Sequence, residues 1–352
     1  MKTLKNILYM TVPSILFALI LVELVFRFII IGGIQPYRKT DTMDNSLLMR
    51  YDKQALSEGK YSLGKFAKHV SKWSLNNDEW NANIDYTKAK TKKRVIVIGD
   101  SFVAGIEVNP KDHFGSKLRE MFKEEIDVYT IGVGGAPLGD YYKFCEYALK
   151  QYKPDLIIVN VVGNDFDESI KSMIYRPYNW QVEVSDSATH FIAPEMYVPD
   201  KFRRFLSHSY FVRWISTNLH GDFSIPFFSK PKIAFSSGGF DSTALVKMQR
   251  ASDFVFKEIA ALDTTCHFIV STNLPYTTDI EGGGNPLNTI ITKSCQTLHL
   301  QRVDIAKQSF ADYKVTKKPW IFEEFSDSHW NEKGHEEVAK ILYSVIKENL
   351  GH

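Results

Sequence analysis

Four β-branched residues in a row, Val95-Ile96-Val97-Ile98, run directly into Gly99-Asp100-Ser101. An unbroken apolar run of that length suits a strand buried on both faces of a parallel sheet. The glycine after it is where the chain must turn. Ser101 therefore falls just past the C-terminal end of a strand, the edge at which open α/β sheets handle ligands. A serine hydroxyl is a weak nucleophile until a base takes its proton. The remaining sequence is read for that base, for a group to orient it, and for donors to a developing oxyanion.

From Arg94 onward, strand and helix patterns alternate. Strands are expected at Val95–Ile98, Ile126–Ile131, Leu156–Val162, His267–Thr272 and Thr297–Leu300. Helices are expected at Phe114–Glu125, Gly139–Gln151, Phe240–Leu262, Leu287–Gln296, Asp304–Tyr313 and Glu336–Asn349. This order implies a three-layer α/β/α domain around a five-stranded parallel sheet. Phe166–Gly239 breaks the pattern. It is aromatic-rich, shows no strand signal, and reads as an insertion over the sheet edge with short helices near Pro199–His220. The expected organisation is an apolar N-terminal segment (1–34), a polar linker partly packed on the domain (35–93), and the α/β domain (94–352) with its insertion at 166–239. Trp73 and Trp80 in the linker either pack against the domain or line a binding surface. The loop at Asn273–Asn288 contains Gly282-Gly283-Gly284, but no helix-opening Lys-Ser/Thr follows, so it is not a phosphate cradle.

Ile7–Val22 carries no charge, and apolar character continues to Ile31, interrupted by Glu23 and Arg27. Those two stand four residues apart and can pair on one helix face. The segment is long enough to span a bilayer, which takes roughly 20 residues. No small-x-small cleavage site follows it. Two readings stand, an uncleaved single-pass anchor and a cleaved signal. With the N-terminus in the cytoplasm, everything downstream is extracytoplasmic. A net charge of +2 gives no argument for nucleic acid. Three cysteines are too few for a disulfide scaffold, and no Cys/His spacing suits zinc. Cys266 and Cys295 precede two strands expected to be neighbours, so a disulfide and two free thiols both remain open. Neither a metal nor a cofactor is expected.

Three further blocks fall on loops: the glycine turn Gly132-Val133-Gly134-Gly135, then Gly163-Asn164-Asp165, then Asp327-Ser328-His329. The first two follow strands, so they share a sheet edge with Ser101. His329 can take the Ser101 proton, and Asp327 can hold the other ring nitrogen. The N–H groups of Gly135 and Ser101 and the amide of Asn164 can serve an oxyanion.

In these four blocks the chain resembles the SGNH, or GDSL-type, hydrolases. The resemblance implies a flavodoxin-like strand order 2-1-3-4-5. It also implies Ser101 as nucleophile, His329 as base, Asp327 as acid, and Ser101, Gly135 and Asn164 as the oxyanion hole. There are departures. Thr130 stands where many members have Asn, the third block lacks the extra residue of Gly-x-Asn-Asp, and one residue rather than two separates Asp327 from His329. The shorter spacings look like a membrane-anchored, polysaccharide-associated branch, and they leave Gly134 beside Gly135 as the oxyanion glycine. The activity implied is a serine ester hydrolase acting on an O-acylated cell-envelope glycan or lipid. Two other readings stand: an O-acyltransferase that passes the acyl group to a sugar hydroxyl, and a non-catalytic glycan-binding subunit. A membrane-bound acyltransferase is the protein partner such a branch implies.

Overall fold

The computed structural model describes residues 2–43, 46–64, 66–218, 240–274 and 285–351. Helix α1 (Lys2–Phe28) leads into two antiparallel hairpins, β1 (Arg38–Met43) with β2 (Ser46–Tyr51), and β3 (Glu58–Leu63) with β4 (His69–Ser74). Next come β5 (Arg94–Gly99), α2 (Ser101–Ala104), α3 (Phe114–Met121), β6 (Asp127–Gly132), α4 (Leu138–Tyr152), β7 (Leu156–Val162) and α5 (Asp165–Glu168). A third hairpin, β8 (Gln181–Val184) with β9 (Thr189–Ile192), precedes α6 (Lys201–Leu206) and α7 (Tyr210–Asn218). The chain finishes with α8 (Ser242–Ala261), β10 (His267–Asn273), α9 (Pro286–Thr297), β11 (Gln301–Asp304), α10 (Ile305–Thr316) and α11 (Glu332–Leu350).

The central sheet has five parallel strands in the order β6-β5-β7-β10-β11, which is 2-1-3-4-5 among its own strands. Side chains alternate across it. Val95 and Val97 of β5 face one core, with Phe114 and Leu118 of α3 and Val338, Leu342 and Ile346 of α11. Ile96 and Ile98 face the other, with Phe144 of α4, Val255 and Phe256 of α8 and Ile291 of α9. Both faces are covered by helices, which is why Val95–Ile98 of β5 and Leu156–Val159 of β7 are unbroken apolar runs. The polar exceptions are bonded: Arg94 pairs with Asp127, and Asn160 Oδ1 accepts from the Ser271 hydroxyl at 3.0 Å. Register aligns the strand ends: Gly99 pairs with Gly132, and Ile98 with Val159. The loops after β5, β6 and β7 therefore leave the sheet side by side.

Several element boundaries differ from expectation, each for a local reason. The fifth strand is Gln301–Asp304 rather than Thr297–Leu300. His299 takes a left-handed φ of 54° and the Leu300 N–H closes back on the Cys295 carbonyl, so the expected strand is the last residue of α9 and the turn that ends it. Helix α3 stops at Met121, four residues early, because Lys123 and Glu124 both adopt positive φ. Helix α11 starts at Glu332 because Asn331 caps it, accepting from the Gly334 N–H at 2.9 Å. The insertion does contain strands. The β8–β9 hairpin was missed because its alternation spans just four residues on each side. The Gly282–Gly284 loop and His220 lie outside the described residues.

The segment before β5, expected as a partly packed linker, forms the first two hairpins and contributes to the core. Trp73 and Trp80 are 1% and 0% exposed, so neither lines a binding surface. The Trp73 Nε1–H donates to the Ile34 carbonyl at 2.7 Å, and Trp80 meets Phe144 of α4 edge-on at 5.7 Å. Cys145, Cys266 and Cys295 are all free and buried. Within α1, the 20 residues Tyr9–Phe28 are predominantly apolar and none is buried, and the segment is long and apolar enough to cross a membrane. Glu23 forms no ion pair with Arg27 among the described residues, because its carboxylate is taken by α7. It accepts from the Ser209 hydroxyl at 2.7 Å and from the Tyr210 and Phe211 N–H groups at 2.8 and 3.3 Å, capping α7 from outside. Phe26 packs on Phe211 and Trp214, so α1 and α7 form one joint.

Candidate active site

Ser101 is held by what precedes it. A Cβ on Gly99 would lie 2.5 Å from Val103 Cγ2, so the strand-to-helix turn closes tightly because that residue has no side chain. Asp100 caps α2, its carboxylate accepting from the Phe102 N–H at 3.0 Å. Ser101 is then the first residue of a four-residue helix at the sheet edge.

The loop carrying Asp327 and His329 is held at both ends. Asn331 donates from Nδ2 to the Pro319 and Ile321 carbonyls at 3.0 and 2.8 Å while its Oδ1 caps α11. Trp330 is buried, edge-on to Phe102 at 5.1 Å and to Phe114 at 6.1 Å. Between these anchors, Ser326 takes a left-handed φ of 55° after a 3-10 turn at Glu323–Phe325, and the chain folds so that Asp327 meets the following histidine. Asp327 Oδ1 accepts from the His329 backbone N–H at 2.8 Å and lies 2.7 Å from His329 Nδ1. His329 Nε2 lies 2.8 Å from Ser101 Oγ. With the proton on Nδ1, the ring donates to Asp327 and accepts from the serine hydroxyl, the tautomer a general base needs. The His329 side chain keeps 24% of its surface exposed, so the pair is open to a substrate.

One member of this cluster had no sequence signal strong enough to single it out. Glu107 is 3% exposed, and its Oε1 lies 3.8 Å from His329 Nδ1. Its Oε2 is buried without a hydrogen-bond partner among the described residues. Burial pushes the Glu107 carboxyl up to about 7, against the opposing pull of His329. Burial also raises Asp100, to about 6. For His329, burial alone would lower the pKa. The charges of Glu107, Asp327 and Asp100, with the Asp327 hydrogen bond, outweigh it and lift the imidazole to about 10. The acid at 107 stands alone in Ala104-Gly105-Ile106-Glu107-Val108, and that isolation is the one cue that could have marked it.

Of the two glycines in the second loop, Gly134 already gives its N–H to the Tyr51 hydroxyl at 3.2 Å. Burial pushes Tyr51 up to about 12, so that hydroxyl stays neutral. Gly135 takes a φ of 70°, which favours glycine, and its N–H has no partner among the described residues. Asn164 follows β7 and donates one amide hydrogen to Glu168 Oε2 at 3.1 Å, leaving a second. Its loop is fixed by Asp165, which accepts from the Tyr141 hydroxyl and from the Val162 N–H at 2.8 Å. The Asp100 carboxyl draws on the Ser101 N–H as well as on Phe102. Among the described residues, no three His, Cys, Asp or Glu side chains are grouped to hold a metal.

The profile of the family described as GDSL-like lipase/acylhydrolase matches residues 95–342. The chain belongs to that family, and is an ester hydrolase by its membership. Solved structures similar to it include an acetyl xylan esterase, AlAXEase, at 16% identity and a TM-score of 0.41, covering 72% of this chain and 99% of that one. Another is the esterase EstA from Pseudoalteromonas sp., at 12% and 0.40, covering 74% and 100%. A third is a family two carbohydrate esterase from Clostridium thermocellum, at 12% and 0.39, covering 75% and 66%. Comparison with curated proteins finds no match.

Proposed function

We propose that this protein is a membrane-anchored serine esterase that removes acyl groups, acetyl among them, from an O-acylated cell-envelope glycan, with its α/β domain outside the cytoplasm. The observation that carries the reading is the unbroken chain of contacts from Asp327 through His329 to Ser101, at 2.7 and 2.8 Å. Ser101 Oγ attacks the ester carbonyl as its proton passes to His329 Nε2. The oxyanion is met by the Gly135 N–H and the Asn164 amide. His329 then returns the proton to the departing sugar oxygen, leaving an acyl-serine. Water repeats the sequence, giving up a proton to His329, releasing the carboxylic acid and restoring the serine. Three carboxyl groups around one imidazole stabilise the imidazolium formed at each step. Asp327 touches the ring, and Glu107 acts through space.

The experiment is hydrolysis of p-nitrophenyl acetate and of acetylated oligosaccharides by the full chain in detergent, beside Ser101→Ala. The parent is expected to release acetate, and the variant is not. Equal turnover by the two would overturn the assignment of Ser101. Mass measurement of the products with an unacetylated oligosaccharide added reads where the acyl group goes. Free acetate supports the esterase, whereas acetyl transfer to the added sugar overturns it in favour of a transferase.

A further inference from the structure

Two guanidinium groups stand beside the glycine turn. A methyl placed on Gly134 would lie 3.7 Å from Ser101 Cβ and 3.6 Å from Arg38 Nη2. One placed on Gly135 would lie 3.8 Å from Arg176 Nη1 and 3.9 Å from Arg38 Nη2. Both cations therefore reach the backbone that borders the nucleophile. Behind them is a cavity of about 230 Å³, walled by Arg38, Arg176, Tyr175, Tyr178, Tyr197 and Met49.

The charges here do not balance. Arg176 is paired through Nη2 with buried Glu168, yet its Nε is buried and has no partner among the described residues. The Arg38 side chain is half-buried and has no hydrogen bond or ion pair among the described residues. Arg50, Arg94 and Arg302, also in strands, are each held by a carboxylate. The carboxyl on which Arg38 acts through space is that of Asp140. Its oxygens are taken by the Asn179 amide at 2.6 Å and the Trp180 N–H at 2.9 Å, and burial keeps it partly protonated near neutrality. A half-buried guanidinium without a counter-charge is costly, and its fork geometry matches a carboxylate or a phosphate.

We propose that Arg38 and Arg176 form a subsite for an anionic substituent, a carboxylate or a phosphate, on the sugar that carries the ester. This rests on the esterase reading above and narrows its substrate to an acidic glycan. The walls favour a sugar over a lipid tail. Tyr175 and Tyr178 present exposed phenol rings, and Met49 and Pro177 are the aliphatic groups among the lining residues. Ring faces stack on sugars, whereas an acyl chain needs a continuous apolar trench.

Binding to the full chain bearing Ser101→Ala tests the subsite without needing turnover, so a failed esterase reading and a failed subsite give different results. Oligogalacturonate, glucose 6-phosphate and a neutral maltooligosaccharide are titrated by calorimetry. At least one anion is expected to bind about tenfold or more tighter than the neutral sugar, and the two arms tell carboxylate from phosphate. Adding Arg38→Gln should erase that preference, and Arg38→Lys should restore part of it. Equal affinity for all three ligands overturns the proposal. So does a preference that survives Arg38→Gln.

Discussion

The parallel sheet and the N-terminal hairpins meet at one site but reach it by different routes. The sheet brings Ser101, the glycine turn and Asn164 together through topology, because parallel strands end on one edge. The hairpins bring Tyr51 and Arg38 to the same turn by packing, through contacts between residues far apart in sequence. The first arrangement supplies groups that can react, and the second supplies a wall that can select. The sheet edge thus carries the nucleophile and the N–H donors, a separate loop brings Asp327 and His329 to it, and the hairpins wall one side.

Four measurements can break or sharpen that division. The largest effect belongs to the sheet edge. Ser101→Ala should lower kcat/KM by about 10⁴- to 10⁶-fold and leave the melting temperature where it was. A large loss of stability instead would make Ser101 a structural residue. Next, Trp80→Ala in the N-terminal segment should cost about 3–5 kcal/mol in urea unfolding, since the ring is fully buried against Phe144. A cost near zero would show that the segment adds little to the core.

The third test is pH. A neutral imidazole is the working base, and its pKa is raised, so kcat/KM should still be climbing above neutrality. Glu107→Gln removes the largest charge contribution to that rise, so the midpoint should move to lower pH. Superimposable profiles would detach Glu107 from His329. The smallest effect is expected from Tyr51→Phe. It removes the acceptor of the Gly134 N–H, a single hydrogen bond worth about 1 kcal/mol, and should slow acylation by less than about tenfold. No change would show that the hairpin does not steady the turn.

Much of the sheet was readable in advance for one reason. A strand buried on both faces is apolar at nearly every position, so Leu156–Val162, with Asn160 its one polar residue, stands out in the sequence, and the expected bounds coincide with β7. β11 hides because it lies at the sheet edge and carries Gln301, Arg302 and Asp304, leaving Val303 alone to mark it. The first two hairpins hide because their cross-strand partners, such as Tyr61 with Ser71, carry no local periodicity that survives the turns. Ser101, Asp327 and His329 could be named because each sits in a short block at a loop. Arg38 and Arg176 could not, and the isolation of Glu107 in an apolar stretch hints at burial without saying which neighbour it acquires. The choice between Gly134 and Gly135 needed the position of Tyr51, which lies more than eighty residues upstream.

The clasp between α1 and α7 has a mechanical consequence. Three hydrogen bonds to one carboxylate and a cluster of rings make the junction a bracket rather than a tether. A body mounted this way in a bilayer cannot swing through a hemisphere on a slack cord. In the membrane-anchored esterase proposed above, the domain would work at one height and one tilt, and cutting the clasp with Glu23→Ala would widen its reach while leaving its chemistry intact.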